Sequence, residues 1–268
     1  MSDPFQPNLL SGKVALVTGG GSGINLAIAQ RMAAQGAALI LVGRTLEKVE
    51  AAARDLEAAG GRAIGLSADV RDYAALEAAI VQGARHFGGL DIVVCGAAGN
   101  FPAPATGMSA NGFRSVVDID LLGTFNTCRA AFEYLRKPGA SVVAISAVQA
   151  LMPTALQSHV SAAKAGVDML IRTLALEWGP LGVRLNSIAP GPVEDTEGVR
   201  RLVPTEAARE ALTRSIPLQR FAQGSEIADL ALFLCSDAAR YITGAVIPCD
   251  GGQSLHGSGI MMSSLGIR

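Results

Sequence analysis

The sequence predicts a single doubly wound α/β domain built on a parallel sheet, and three observations carry that prediction. Short apolar runs alternate with longer helical patterns from residue 13 onward. The runs are apolar throughout rather than every second residue, as in strands covered on both faces. Each is separated from the next by enough chain for a helical crossover. No long Pro/Gly/Ser linker, repeat or low-complexity segment divides the 268 residues, so one domain is expected over 1–268.

"VALVTG" opens the series and leads into a helix from about Gly23. "ALILVG" is followed by a helix from about Leu46, and "AIGLSADV" by a third. "LDIVVCGAAG", "ASVVAISA", "GVRLNSIAP" and "GAVIPCDGG" continue the strand candidates. The stretch 191–223 starts with Gly and Pro, carries charge throughout and breaks the pattern. Loops after strand ends carry function in this architecture, so this stretch is expected to be an irregular, mobile substrate lid.

Half of the chain is hydrophobic, which supplies a sizeable core. Lys+Arg 22 against Asp+Glu 23 leaves a formal charge of -1 and no global pull toward nucleic acid or an anionic membrane. No stretch reaches the roughly 18 apolar residues of a membrane span. "MSDPFQPNLLSGK" lacks a charged start followed by an apolar run, and "SSLGIR" is not an SKL-type address, so a cytoplasmic setting is expected. Cys95, Cys128, Cys235 and Cys249 stand singly, and His86, His159 and His256 are equally dispersed. That pattern predicts neither a metal site nor a disulfide framework.

"TGGGSGIN", residues 18–25, lies between the first strand candidate and the first helix. This is the context of a dinucleotide turn, in which glycines admit a pyrophosphate and the helix N-terminus supplies oriented N–H groups. Gly19, Gly21, Ser22, Gly23 and Ile24 are the candidate contacts. The carboxylate that holds a ribose 2′-OH about 20 residues further on is missing. Gly43 stands there with Arg44 beside it, and an arginine can pair with a 2′-phosphate, so NADPH is the expected cofactor. Asp69 and Val70, after the third strand, are placed at the adenine edge; a helix cap is the competing role for Asp69.

"TGGGSG", "CGAAG", the lysine of "SAAKAG" and "LNSIAPGP", in this order, resemble the short-chain dehydrogenase/reductase family across roughly residues 11–252. The resemblance implies a Rossmann-type seven-stranded sheet, a nicotinamide cofactor bordered also by Ala97, Gly99, Pro190 and Gly191, and a homotetramer. That family's catalytic set is Asn, Ser, Tyr and Lys, and only the lysine, Lys164, is retained. Asp120 stands at the Asn position, Ala147 at the Ser position and Val160 at the Tyr position. Ser146, one place early and on the opposite side of the strand, is kept only as a substrate contact. Asn25 replaces the last glycine of the usual turn, where its side chain is expected to bond a phosphate or a backbone group.

Reduction of a ketone requires a proton donor within about 3 Å of the developing alkoxide, and valine is none. A narrower group lacks the same tyrosine. "AAGNF", "DIDLLGTFN", "ALQSHVSAAKAGVDML", "LALEWGP" and "APGPVEDTEGVRRL" resemble the peroxisomal type of 2,4-dienoyl-CoA reductase. That resemblance implies Asp120 and Lys164 as the catalytic pair, with Lys164 also holding the nicotinamide ribose. It implies hydride delivery to C5 of an acyl-CoA dienoyl thioester and protonation at C2 to a 3-enoyl-CoA. Asn100 and Phe101 are the implied acyl contacts; His159 is expected as a packing or pocket-edge residue at the substrate, with general acid as the competing role. Arg200 and Arg201 are candidates to clamp CoA phosphates, with salt bridges to Glu194, Asp195 and Glu197 as the competing role. Two rivals stay open: reduction of another activated acyl or carbonyl compound, and nucleotide binding without catalysis.

Overall fold

The apolar runs become seven strands. The computed structural model describes residues 3–203 and 205–258, so "SSLGIR" lies outside the described residues. The elements run β1 (Val14–Thr18), α1 (Gly23–Ala34), β2 (Ala38–Gly43), α2 (Leu46–Ala58), β3 (Arg62–Ser67), α3 (Tyr73–Phe87) and β4 (Ile92–Cys95). They continue α4 (Ala110–Val117), α5 (Gly123–Ala131), β5 (Ser141–Ile145), α6 (Ser158–Trp178) and β6 (Arg184–Pro190). The last four are α7 (Glu197–Leu202), α8 (Glu206–Ser215), α9 (Gly224–Cys235) and β7 (Val246–Cys249).

All seven strands are parallel, in the order β3-β2-β1-β4-β5-β6-β7. β1, β4 and β5 are buried along their whole length, β2 and β6 at all but one residue, and the edge strands β3 and β7 are partly exposed. Alternate strand residues feed two cores. Leu16, Ile40, Val93 and Val142 pack with Leu76 and Ile80 of α3 and Val167 and Ile171 of α6. Val17, Leu41, Val94 and Val143 pack on the other face with Ile28 and Met32 of α1, Val49 of α2 and Ile227 and Leu232 of α9. Each such large side chain contributes roughly 1.5–3 kcal/mol by leaving water. This two-sided covering explains why the strands read as unbroken apolar runs.

The order reverses between β1 and β4, and in an open α/β sheet the crevice at the carboxyl ends of the strands beside such a reversal binds the ligand. The turn after β1, the segment after β4 and the start of α6 all belong to this end of the sheet. The stretch 191–223 departs from the irregular loop expected of it. It contains α7 and α8, each opened by a threonine: Thr196 accepts from Val199 N at 3.3 Å and Thr205 from Ala208 N at 3.2 Å. A bridge between Val193 and Ala222 closes its base.

Candidate active site

The turn after β1 is tied directly to the end of β4. Gly19 has φ +70°, and a Cβ there would approach Ala97 Cα to 3.1 Å, so glycine is needed for both conformation and space. Thr18 Oγ1 accepts from Gly96 N at 3.2 Å, and Asn25 Nδ2 donates to Gly96 O at 2.7 Å. Of the two roles expected for Asn25, the structure shows the backbone bond. Its amide fills the space that Gly96 leaves open, since a Cβ on Gly96 would fall 2.0 Å from Asn25 Oδ1. Ser22 precedes α1 as its N-cap without a side-chain bond, and Ile24 is half-buried against the α1 core.

At the other end of the same segment, Gly99 N donates to Asp120 Oδ1 at 2.7 Å. Asp120 sits in a π-helical turn, Asp118–Leu122, inserted between α4 and α5. Such wide turns recur at functional sites because they re-aim a side chain without ending the helix. Asp120 is fully buried, and Lys164 Nζ from the second turn of α6 lies 3.1 Å from its Oδ2. Lys164 Nζ also donates to Ile145 O, at 2.8 Å. A buried carboxylate is tolerated here because a cation and a backbone N–H meet it.

Behind this pair is a group that sequence reasoning missed. Asp168 lies one helical turn after Lys164 on the buried face of α6. Burial pushes its carboxyl above the ordinary carboxylate range, against the opposing pull of the Ser146 and Ser187 hydroxyls and the Lys164 charge. The i, i+4 spacing of Lys164 and Asp168 was the available signal. Ser146 Oγ is sealed from solvent and lies near Asp168. Ala147 offers no hydroxyl, and Val160 is buried with Val116 and Ala163 in a small apolar cluster. Tyr73 bonds Glu77, and Tyr241 is fully exposed; neither replaces the missing phenol.

His159 is fully buried, its ring packs tilted at 45° against Phe101 with 4.5 Å between centroids, and neither nitrogen has a partner. Gln157 Nε2 donates to Phe101 O at 3.3 Å. Asn100 leaves Oδ1 buried and unpartnered, while its carbonyl accepts from Arg201 Nη1 at 2.8 Å. Arg200 and Arg201 both pair with Glu197, at 3.0 and 2.9 Å, so the competing salt-bridge role is realised in this structure. Arg201 thereby joins α7 to the rim of the crevice.

On the other side of the crevice Gly21 packs beside Lys48 and Val49, and the Arg44 side chain is exposed. Asp69 does not cap α3; Asp72 does, accepting from Ala75 N at 3.1 Å. Val70 is buried, and its carbonyl accepts from Asn126 Nδ2 at 2.9 Å. Pro190 ends β6, and Gly191 N donates to Cys249 O at 3.1 Å. Glycine backbone at the switch point, an N-terminal helix end and a buried lysine fit a nicotinamide dinucleotide. Among the described residues no three His, Cys, Asp or Glu side chains gather as metal ligands, and no helix is long and apolar enough to cross a membrane.

Comparison with known proteins agrees with this geometry. The family described as enoyl-(acyl carrier protein) reductase matches residues 19–254. The peroxisomal 2,4-dienoyl-CoA reductase of Danio rerio, named as (3E)-enoyl-CoA-producing, is 43% identical over 98% of this chain and 88% of its own length. The enzyme of the same name from Pongo abelii is 46% identical over 94% of this chain and 87% of its own. A gluconate 5-dehydrogenase from Burkholderia cenocepacia J2315, solved with NADP and tartrate, superposes with a TM-score of 0.86 at 30% identity, covering 92% of this chain and 96% of that one. With the parallel seven-stranded sheet, the glycine turn at its switch point and the retained lysine, the chain belongs to the short-chain dehydrogenase/reductase family and is a nicotinamide-dependent oxidoreductase.

Proposed function

We propose that the protein reduces 2,4-dienoyl-CoA thioesters to 3-enoyl-CoA at the expense of NADPH, in the oxidation of unsaturated fatty acids. The observation that carries this reading is the buried Asp120–Lys164 pair beside Val160, where carbonyl reduction would need a phenol. The names of the relatives support it, and so does the NADP in the superposed gluconate 5-dehydrogenase.

When bound, the nicotinamide supplies a hydride to C5 of the diene. Negative charge then spreads onto the thioester oxygen as a dienolate. Lys164 stabilises this charge through its ammonium, a preorganised cation in a site shielded from water. The Asp120 carboxylate repels an enolate, so it acts at one remove: it holds Lys164 in place and orients a water that delivers the proton to C2. Asn100 and Phe101 bound the acyl chain, with His159 behind Phe101. Arg44 meets the 2′-phosphate, and the residues of the β1 turn receive the diphosphate through backbone N–H groups.

In this reading α7 and α8 form the lid, and Arg200 and Arg201 exchange Glu197 for CoA phosphates when substrate enters. Exposed Phe113, Leu122 and Phe125 along α4–α5, with Met169 and Leu176 on α6, supply apolar area for the faces of a homotetramer. A cytoplasmic location completes the reading, although the named relatives are peroxisomal.

The test is NADPH oxidation followed at 340 nm with 2,4-hexadienoyl-CoA and separately with a β-ketoacyl-CoA. Turnover of the first alone is expected. Turnover of the second alone overturns the substrate, and turnover of neither favours a nucleotide-binding protein without catalysis.

A further inference from the structure

The parallel register pairs Gly43 with Ser67 and so sets the ends of β2 and β3 side by side. Ala68 N donates to Gly43 O at 3.1 Å, and Ser67 Oγ donates to Arg44 O at 3.3 Å. Arg44 and Asp69, each just beyond its strand, are therefore neighbours of opposite charge. Were they paired, the arginine would be neutralised where a 2′-phosphate must be met, and the carboxylate would stay near that phosphate.

They are not paired. Arg71 takes Asp69 instead: its backbone N and its Nε each donate to Oδ1 at 3.0 Å, and Nη2 donates to Oδ2 at 2.6 Å. Arg71 holds the Asp69 carboxyl below its ordinary range, and Arg44 contributes a smaller pull. Among the described residues the Arg44 guanidinium forms no ion pair. Val70, between the two partners, is buried, and a Cβ on Gly123 would fall 2.5 Å from its Cγ2. The turn is thus anchored at residue 70 while 69 and 71 clasp each other at the surface.

We propose that Arg71 is a specificity-determining positioning residue: by occupying Asp69 it keeps Arg44 free for the cofactor's 2′-phosphate and cancels the repulsion Asp69 would exert on it. This rests on the NADPH reading given above.

Calorimetric titration of the full chain with 2′,5′-ADP and with 5′-ADP, at low salt, tests it without catalysis. Wild-type protein should bind 2′,5′-ADP more tightly than 5′-ADP. Arg71→Gln should weaken 2′,5′-ADP about fivefold, the upper end for exposed charge pairs, and leave 5′-ADP unchanged. Adding Asp69→Asn to Arg71→Gln should restore the affinity for 2′,5′-ADP, because the carboxylate that captures Arg44 is gone. The effect should shrink as salt rises. An unchanged ratio between the two ligands in Arg71→Gln, or a double variant as weak as the single one, overturns the proposal. Equal binding of the two ligands by wild-type protein instead overturns the NADPH reading itself.

Discussion

Lys164 Nζ stands 3.1 Å from Asp120 Oδ2, and both side chains are buried. Removing one member leaves the other as an uncompensated buried charge, which costs about 3–5 kcal/mol, whereas replacing both is far cheaper. Asp120→Asn and Lys164→Met should each lower stability in urea unfolding, and the double variant should be more stable than the worse single one. Each single variant should also lose about 10²-fold in turnover on a dienoyl-CoA, the scale of one lost electrostatic donor. Wild-type turnover in both would remove the pair from the mechanism.

Restoring the tyrosine should not restore ketone reduction. Val160 is packed against Val116 and Ala163, with Phe101 against the same cluster, so Val160→Tyr overfills it. A loss of about 1–3 kcal/mol in thermal unfolding is expected. β-Ketoacyl-CoA turnover should stay at background even when Ala147→Ser is added.

Asn25 bridges the dinucleotide turn and the end of β4, so its loss should show first in cofactor binding. Asn25→Asp cannot donate to Gly96 O and places a negative charge beside the diphosphate. Its NADPH dissociation constant, followed by fluorescence, should rise by at least about tenfold. Asn25→Gly should lose less, since it adds no charge. Equal affinity in all three proteins would confine Asn25 to packing.

The raised pKa of Asp168 has a defined sign. Its folded-state pKa lies above the ordinary 3.8 because of burial, so the folded state favours the protonated form. The contribution to stability is complete below pH 3.8 and is lost as pH rises through the raised value. Asp168→Asn, a neutral stand-in, should therefore gain stability relative to wild type above that window and show no such gain below it. Unfolding curves from pH 3 to 8 check this; a gain confined to acid would reverse the assignment.

Arg200→Ala with Arg201→Ala should raise KM for CoA thioesters and leave truncated pantetheine thioesters unaffected. An equal rise for both substrates would place the arginines in lid packing through Glu197 and Asn100 rather than on CoA phosphates.

Much of the architecture is legible from local pattern. Helix starts at Gly23 and Leu46 fall where the alternation of apolar runs and polar faces puts them. Each of the seven apolar runs became a strand, and in β1, β4 and β5 burial on both faces leaves its mark on every residue. Legibility fades where partners come from distant segments. Asp69 read as an adenine-edge residue with a helix cap as its competing role, but Asp72 caps α3 and Asp69 is claimed by Arg71. Arg201 meets the carbonyl of Asn100, a contact no spacing announces.

The sequence by itself determined the doubly wound sheet and the glycine turn at its switch point, since both are matters of residue type and short-range periodicity; that Val160 stands in for a tyrosine came from the resemblance to the short-chain dehydrogenase/reductase family. Only the tertiary structure decided that Asp120 meets Lys164, the pairing the sequence suggested, from a π-helical turn, and that the backbone group Asn25 bonds is Gly96 O. Those pairings depend on strand register, helix crossing and the phase of a bulge. Each of these is set by packing the whole chain, and none is written in the neighbours of the residues concerned.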